Sequence, residues 1–438
     1  MCDMFLPGGR RARCDIMLVM STPRPAVLSV GVATALSAAS GYFVLLLAAR
    51  SLTESQYAGW FVFWSAFGLA TGALGGLLQE TARGVRAAPA EARGARPLLA
   101  GFGSGVVLGG LALATAPLWA GLLFLEAGGA QPGSARPAEN GVLPLAGLFA
   151  VGVCGVAAQA AVGGLLSAAY AWTPFAVLTV LDAAFRLAAA ISCVAFGAGP
   201  GWFCVAAVAG AGSWLVLLTA SPRARALAAA RADVPMREFL RRCAAAVAAA
   251  SASAVLVMGF PVLLKITTPG RLPEGAGALL LAVTLTRAPL LVPLNVFQGA
   301  LVAWCTDRRS RPWRALGIAT GAVLLAGAAS ALAAALLGPW LLAAVFHVAW
   351  PFGRATLAAL TLGAAMIALL TCTGVSCLTT GRGRINAVGW WAATLASLAL
   401  LLVPALPQDQ IGLRVCLALL IGPLVGMAVH LSALRGRL

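Results

Sequence analysis

From Ala26 to Ala49 the chain runs 24 positions without a charged residue, and apolar runs of similar length recur to its end. A helix rises about 1.5 Å per residue, so about 20 apolar residues cross the ~30 Å hydrocarbon core of a bilayer. No water satisfies backbone N–H and C=O groups in that core, so each run must close its own hydrogen bonds as a helix. A membrane β-barrel would instead show segments of about ten residues with alternating polarity, and none is present. The runs exclude a soluble globular fold. With 61% hydrophobic and 10% charged residues, the chain falls far below the roughly 25% charge of soluble domains. The predicted fold class is all-α: a polytopic membrane protein.

Twelve spans are expected, near 26–49, 58–78, 98–125, 142–169, 174–197, 202–220, 244–264, 278–304, 316–337, 355–377, 387–402 and 412–431. The net charge of +17 would suggest nucleic acid in a soluble chain. Here the placement explains it: 22 of the 30 Lys and Arg residues fall in loops on one side and six on the other. That asymmetry sets orientation, with the Arg-rich side and both termini in the cytoplasm of a cell membrane. No basic run carries interleaved aromatics of the kind that stack on single strands, so no nucleic-acid partner is assigned.

The organisation predicted is a cytoplasmic segment over 1–25 (Met17 and Met20 are alternative starts), a six-helix bundle over 26–220, a basic linker over 221–243 and a second six-helix bundle over 244–438. The alanines of the linker favour a helix at the membrane surface. The halves look alike. Span 2 ends in GGLLQETARGVR and span 8 in QGALVAWCTDRR, each an acidic residue followed by arginines. Six spans per half keep orientation, so the halves are expected to be parallel repeats with a substrate site between them near the midplane. Gly101, Gly105 and Gly109 share one face of span 3, where another helix can approach closely.

Three charged residues lie deep in spans: Asp182 and Arg186 in span 5 and Arg287 in span 8. Such residues cost at least ~2.5–3.5 kcal/mol on insertion scales. Asp182 and Arg186 are four apart and fit a self-neutralising pair on one helix face. Arg287 has no acidic neighbour and lies beside Pro289 and Pro293, which free backbone carbonyls. An arginine facing a watery cavity suits phosphate through its planar fork of donors; Arg186, Arg287 and Asp182 are the candidate substrate-binding residues, with the two arginines able to converge on a pyrophosphate. Glu80 with Arg83, and Asp307 with Arg308, read either as solvated helix ends or as an inner gate between the halves. Arg50 and Glu54 are the matching outer candidates.

The ten cysteines are scattered without a CxxC pair, which fits buried free thiols rather than disulfides or a zinc site. His347 and His430 lie far apart with no acidic ligand near either. No Walker loop or nucleophile–histidine–acid set occurs, so no catalytic residue, metal or cofactor is assigned.

The first hairpin, with Ala49-Arg50-Ser51-Leu52, Tyr57-Ala58-Gly59 and Glu80 to Arg83, resembles that of polysaccharide-export flippases in the multidrug/oligosaccharidyl-lipid/polysaccharide exporter superfamily. Gly164-Leu165-Leu166-Ser167 through Tyr170, leading to Arg186, is similar to the family's connection between spans 4 and 5. The segment from Gly338 to Phe352 resembles its lead into span 10. The resemblance implies two bundles that move an undecaprenyl-pyrophosphate-linked oligosaccharide by alternating access for cell-surface polysaccharide synthesis. Its implied partners are that lipid-linked oligosaccharide, the membrane lipids, and a polysaccharide polymerase or glycosyltransferases. The expectation for an enzyme is negative. The alternatives are a drug or small-molecule exporter of the same fold, a membrane glycosyltransferase or polymerase, and a scaffold for polysaccharide assembly. Glycosyl transfer needs a positioned acid or base, and the short outer loops offer Glu126, Glu139 and Glu274 without a pattern.

Overall fold

The computed structural model describes residues 24–89, 93–124, 127, 141–268, 272–296, 312–380, 382–403 and 410–435. Among them every regular element is helical: α1 (Arg24–Ser51), α2 (Glu54–Arg86), α3 (Pro97–Ala114), α4 (Ala116–Phe124), α5 (Leu143–Ala168), α6 (Trp172–Ala195), α7 (Pro200–Val208), α8 (Ser213–Ala220), α9 (Pro222–Ala228), α10 (Met236–Val257), α11 (Phe260–Thr267), α12 (Ala276–Val296), α13 (Pro312–Ala344), α14 (Arg354–Thr379), α15 (Gly383–Leu401) and α16 (Ile411–Arg435). Ten described spans are long and apolar enough to cross a membrane. The shorter apolar stretch of α12 and the helix α15 stand at the other two predicted spans. The chain is a multi-pass membrane protein.

The bundle repeats itself. In the first half α1 packs on α6, while α2 and α3 both pack on α5. In the second half α10 packs on α15, while α12 and α13 both pack on α14. Each pairing of the second half is one from the first advanced by six spans, as parallel repeats require. The glycines of α3 work as their spacing predicts: Cβ atoms added at Gly101 and Gly105 would lie 2.6 Å and 2.9 Å from the Ala161 and Ala157 methyls of α5.

Five expectations change. Span 3 is two helices, α3 and α4. The Trp119 indole donates to the Ala112 carbonyl across the junction, and Pro117 fits the first turn of the new helix, where its missing N–H costs nothing. Span 6 is divided by a 3-10 turn, Ala209–Gly212. Span 7 breaks between α10 and α11 at Met258 and Gly259. In the linker only Pro222–Ala228 forms the expected surface helix. Residues 229–235 form a loop, and Met236 already begins α10. That loop is held by backbone pairing with the loop after α2. Ala232 N–H donates to Ala95 O, Ala95 N–H to Val234 O, and Asp233 N–H to Gly84 O. Span 9 also runs further than expected, since α13 continues through Pro339 to Ala344.

Candidate functional site

The two halves meet chiefly along α2 and α10, with α11 and α12 also reaching α2 and α12 reaching α1. The charged side chains fall at three levels of this interface.

At the Arg-rich end, α2 and α10 touch backbone to backbone. A Cβ at Gly76 would strike the Ala246 carbonyl and lie 2.5 Å from the Val247 nitrogen, and one at Gly72 would lie 2.9 Å from the Ala254 methyl. Beyond this contact Arg83 forks onto Glu80, Nη2 to Oε1 at 2.6 Å and Nε to Oε2 at 2.8 Å. Its Nη1 also bonds Asp233 at 3.2 Å. Asp233 meets Arg242 of α10 at 3.5 Å, and Glu238 binds both Arg241 and Arg242. The candidate pair Glu80–Arg83 therefore reaches the second half through Asp233 of the linker, a residue to which the sequence reading gave no role. Arg86 donates to the Ser167 carbonyl at 2.8 Å and stacks over Tyr170. Asp307 and Arg308, the matching candidates of span 8, lie outside the described residues.

At the opposite end, Arg50 and Glu54 both cross to the second half, though not to each other. Glu54 Oε1 accepts from the Gly275 N–H at 2.7 Å, and Arg50 Nε donates to the Val345 carbonyl at 2.8 Å. Gly275 sits at φ +80°, a conformation that favours glycine. Thr53 caps α2 in a box with Gln56, which fixes the direction in which Glu54 leaves the helix.

Between the ends lie the buried charges. Asp182 and Arg186 form an ion pair within α6. The Asp182 carboxylate faces Gly210 of the 3-10 turn, and Arg186 lies over the Trp64 ring of α2 at 6.0 Å. Arg287 stands apart. It is 8% exposed, donates from Nη1 to the Val257 carbonyl at 2.5 Å and lies 5.7 Å from the centre of the Phe260 ring. Its Nε and Nη2 are buried without a partner among the described residues. Half-buried Tyr42 of α1 lies within electrostatic reach.

One part of the expectation for Arg287 changes here. The carbonyl it uses is freed where α10 ends, not by Pro289 and Pro293, since α12 continues through both. Arg186 and Arg287 share no partner among the described residues, each being held by its own half. Two contributors were missed in the sequence, Trp64 and Phe260. Both are aromatic residues in apolar runs, which by themselves read as core. Among the described residues no group of three or more His, Cys, Asp and Glu is placed to hold a metal ion, and the seven described cysteines are free.

In its helical fold the chain is similar to solved membrane transporters. The chain superposes on the lipid II flippase MurJ in an inward closed conformation with a TM-score of 0.66 at 12% identity, over 91% of this chain and 87% of that one. It superposes equally, at 0.66 and 12% identity, on an inward-facing multidrug resistance MATE family transporter, over 94% and 98% of the two chains. At such identities the likeness is one of fold. No family model matches the sequence. In sequence it is similar to the uncharacterized protein Rv1510 of Mycobacterium tuberculosis, 43% identical over 94% of this chain and 92% of that one. It is 40% identical to the uncharacterized protein Mb3654 of Mycobacterium bovis, over 93% and 91%. The chain belongs to the family of these mycobacterial proteins.

Proposed function

We propose that the protein is an alternating-access transporter that flips a polyprenyl-pyrophosphate-linked oligosaccharide across the cytoplasmic membrane, with its Arg-rich end and both termini in the cytoplasm. The observation that carries the reading is Arg287. A guanidinium keeps its charge and has five N–H donors. Burying it with one carbonyl and one ring face leaves donors unmet, at a cost of several kcal/mol. Two nitrogens without partners among the described residues, next to α1 of the other half, fit a ligand that brings oxygen acceptors. Phosphate matches the planar fork best. In this reading Asp182–Arg186 is a neutral structural pair, and Glu80–Arg83–Asp233 and Arg50/Glu54 are the two gates. Polysaccharide polymerases or glycosyltransferases are the proposed partners in the membrane.

The test is a flipping assay in proteoliposomes with a polyprenyl-pyrophosphate oligosaccharide, following access of an external lectin to the sugar. Arg287→Gln is expected to lower the flipping rate at least tenfold, equivalent to about 1.4 kcal/mol in the barrier. Arg186→Gln is expected to lower thermal stability more than rate. Equal flipping by wild type and Arg287→Gln would remove the phosphate site. Sugar transfer or chain growth on the lipid without flipping would mean an enzyme.

A further inference from the structure

At the Arg-rich end of the second half, α14, α15 and α16 enclose one imidazole. His430 of α16 is fully buried. Its Nδ1 lies 2.9 Å from Thr373 Oγ1 of α14, and its Nε2 lies 3.2 Å from the Asn386 carbonyl of α15. The cavity is shaped to the ring, because a Cβ at Gly389 would collide with the imidazole. A Cβ at Gly374 would lie 3.5 Å from His430 Cε1.

The Thr373 hydroxyl has a second place for its hydrogen, the Leu370 carbonyl at 2.9 Å. This makes the site complete in two protonation states. With a neutral ring, Nε2–H donates to Asn386 O, which is only an acceptor, and Nδ1 accepts from the Thr373 hydroxyl. With one proton added from water to Nδ1, Nδ1–H donates to Thr373 Oγ1, and the hydroxyl turns its hydrogen to Leu370 O. No other bond changes, and no buried polar atom of the set is orphaned in either state.

The charges around it are few. On α14 the titratable groups beside it are Cys372, next to Thr373, and Cys377, whose thiol donates to the His430 carbonyl at 4.0 Å. On α15 there is none beyond Arg384 in its first turn and Arg382 just before it, and on α16 there is Arg435 in the last turn. Beyond Glu274 the sequence holds just two carboxylates, Asp307 and Asp409, neither of them in α14, α15 or α16. A charged ring would therefore have no carboxylate partner on these three helices, which favours looser packing around half-buried Asn386.

We infer that His430, with Thr373 and Asn386, is a proton-binding site of the second bundle, loaded from the Arg-rich end, and that its occupancy biases how α14, α15 and α16 pack. The coupling of that proton to transport rests on the transporter reading above; the proton site itself does not.

The chain has two histidines, so the test is direct. Protein labelled with 15N-histidine in lipid nanodiscs is titrated by NMR, with His347→Gln assigning the remaining signal. His430 should pass from one neutral tautomer to the doubly protonated ring between about pH 5 and 8, and Thr373→Val should lower its midpoint. A ring that stays in one neutral tautomer over that range in the wild type overturns the site. In proteoliposomes carrying the polyprenyl-pyrophosphate oligosaccharide, an imposed pH gradient should change the flipping rate severalfold in wild type and leave His430→Gln unaffected. Flipping that ignores the gradient while His430 titrates overturns the coupling and keeps the site. If no lipid is flipped at all, the transporter reading has failed, and the NMR titration still decides the proton site.

Discussion

The two ends of the interface between the bundles are closed by different physics. At the Arg-rich end, Gly72 and Gly76 let α2 and α10 touch through their backbones, and outside that contact side-chain charges meet one another. Arg83, Asp233 and Arg242 form a chain that runs from α2 to α10 through the linker. At the opposite end there is no ion pair among the described residues. Glu54 and Arg50 reach backbone atoms instead, Gly275 N–H and Val345 O. The first closure depends on shape and on charges that salt screens. The second depends on two single hydrogen bonds with fixed backbone partners. An alternating-access cycle needs ends that can be released separately, and ends held by different forces can be.

The largest effect is expected at the glycine contact. Gly76→Val places a branched side chain where Ala246 and Val247 backbone atoms already sit. Overpacking of this kind costs about 1–3 kcal/mol, and backbone on both sides leaves little to yield. Hydrogen exchange over residues 244–250 should speed up by an order of magnitude or more, while residues 272–280 stay as they were. Unchanged exchange at 244–250 would mean that the glycines do not hold this end shut. The next effect is at the opposite end. Glu54→Ala removes the acceptor of a charge-assisted bond worth roughly 1.5–3 kcal/mol, so exchange should rise over 272–280 alone. Glu54→Gln keeps an oxygen in place and should cost less than half as much. If Gln and Ala behave alike, the carboxylate's charge, and not its bond to Gly275, closes that end.

The bundle was legible in the sequence because burial in lipid imposes one rule on every span, an apolar run of helical length. The breaks inside spans were harder to read, although the residues for them were present. Pro261 sits at the start of α11 and Pro117 at the start of α4, both in first turns, where proline fits. Pro289 and Pro293 look stronger on paper, yet they lie in a continuous α12. Proline type alone does not distinguish the two outcomes; position within the turn does. The arginines and acids at the two ends of the interface were visible as charges at helix ends. Their partners were not, because Gly275 N–H and Val345 O are main-chain atoms 221 and 295 positions away. Asp233 could have been found, as one of two acids among the six arginines of residues 221–242. The pocket of His430 could not, since its walls come from three helices and two of its hydrogen-bonding atoms are backbone carbonyls.

The smallest effect is the most selective. Asp233 bonds Arg83 at 3.2 Å and Arg242 at 3.5 Å, and the Arg83 side chain is 43% exposed. Such pairs contribute about 0.2–1 kcal/mol each, so Asp233→Asn should destabilise the Arg-rich end by about 1 kcal/mol. Its backbone N–H, bonded to Gly84 O at 3.0 Å, is unaffected, so the linker loop should stay docked. The signature is in the response to salt. Screening lengths fall from about 10 Å at 0.1 M to about 3 Å at 1 M. Added salt should therefore speed exchange at 244–250 in the wild type and do less in Asp233→Asn. At 272–280 it should do nothing in either protein, because a carboxylate bonded to a backbone N–H there has no cation to lose. Equal salt responses at the two ends would show that one force closes both, and the separate release of the two ends would have to come from packing alone.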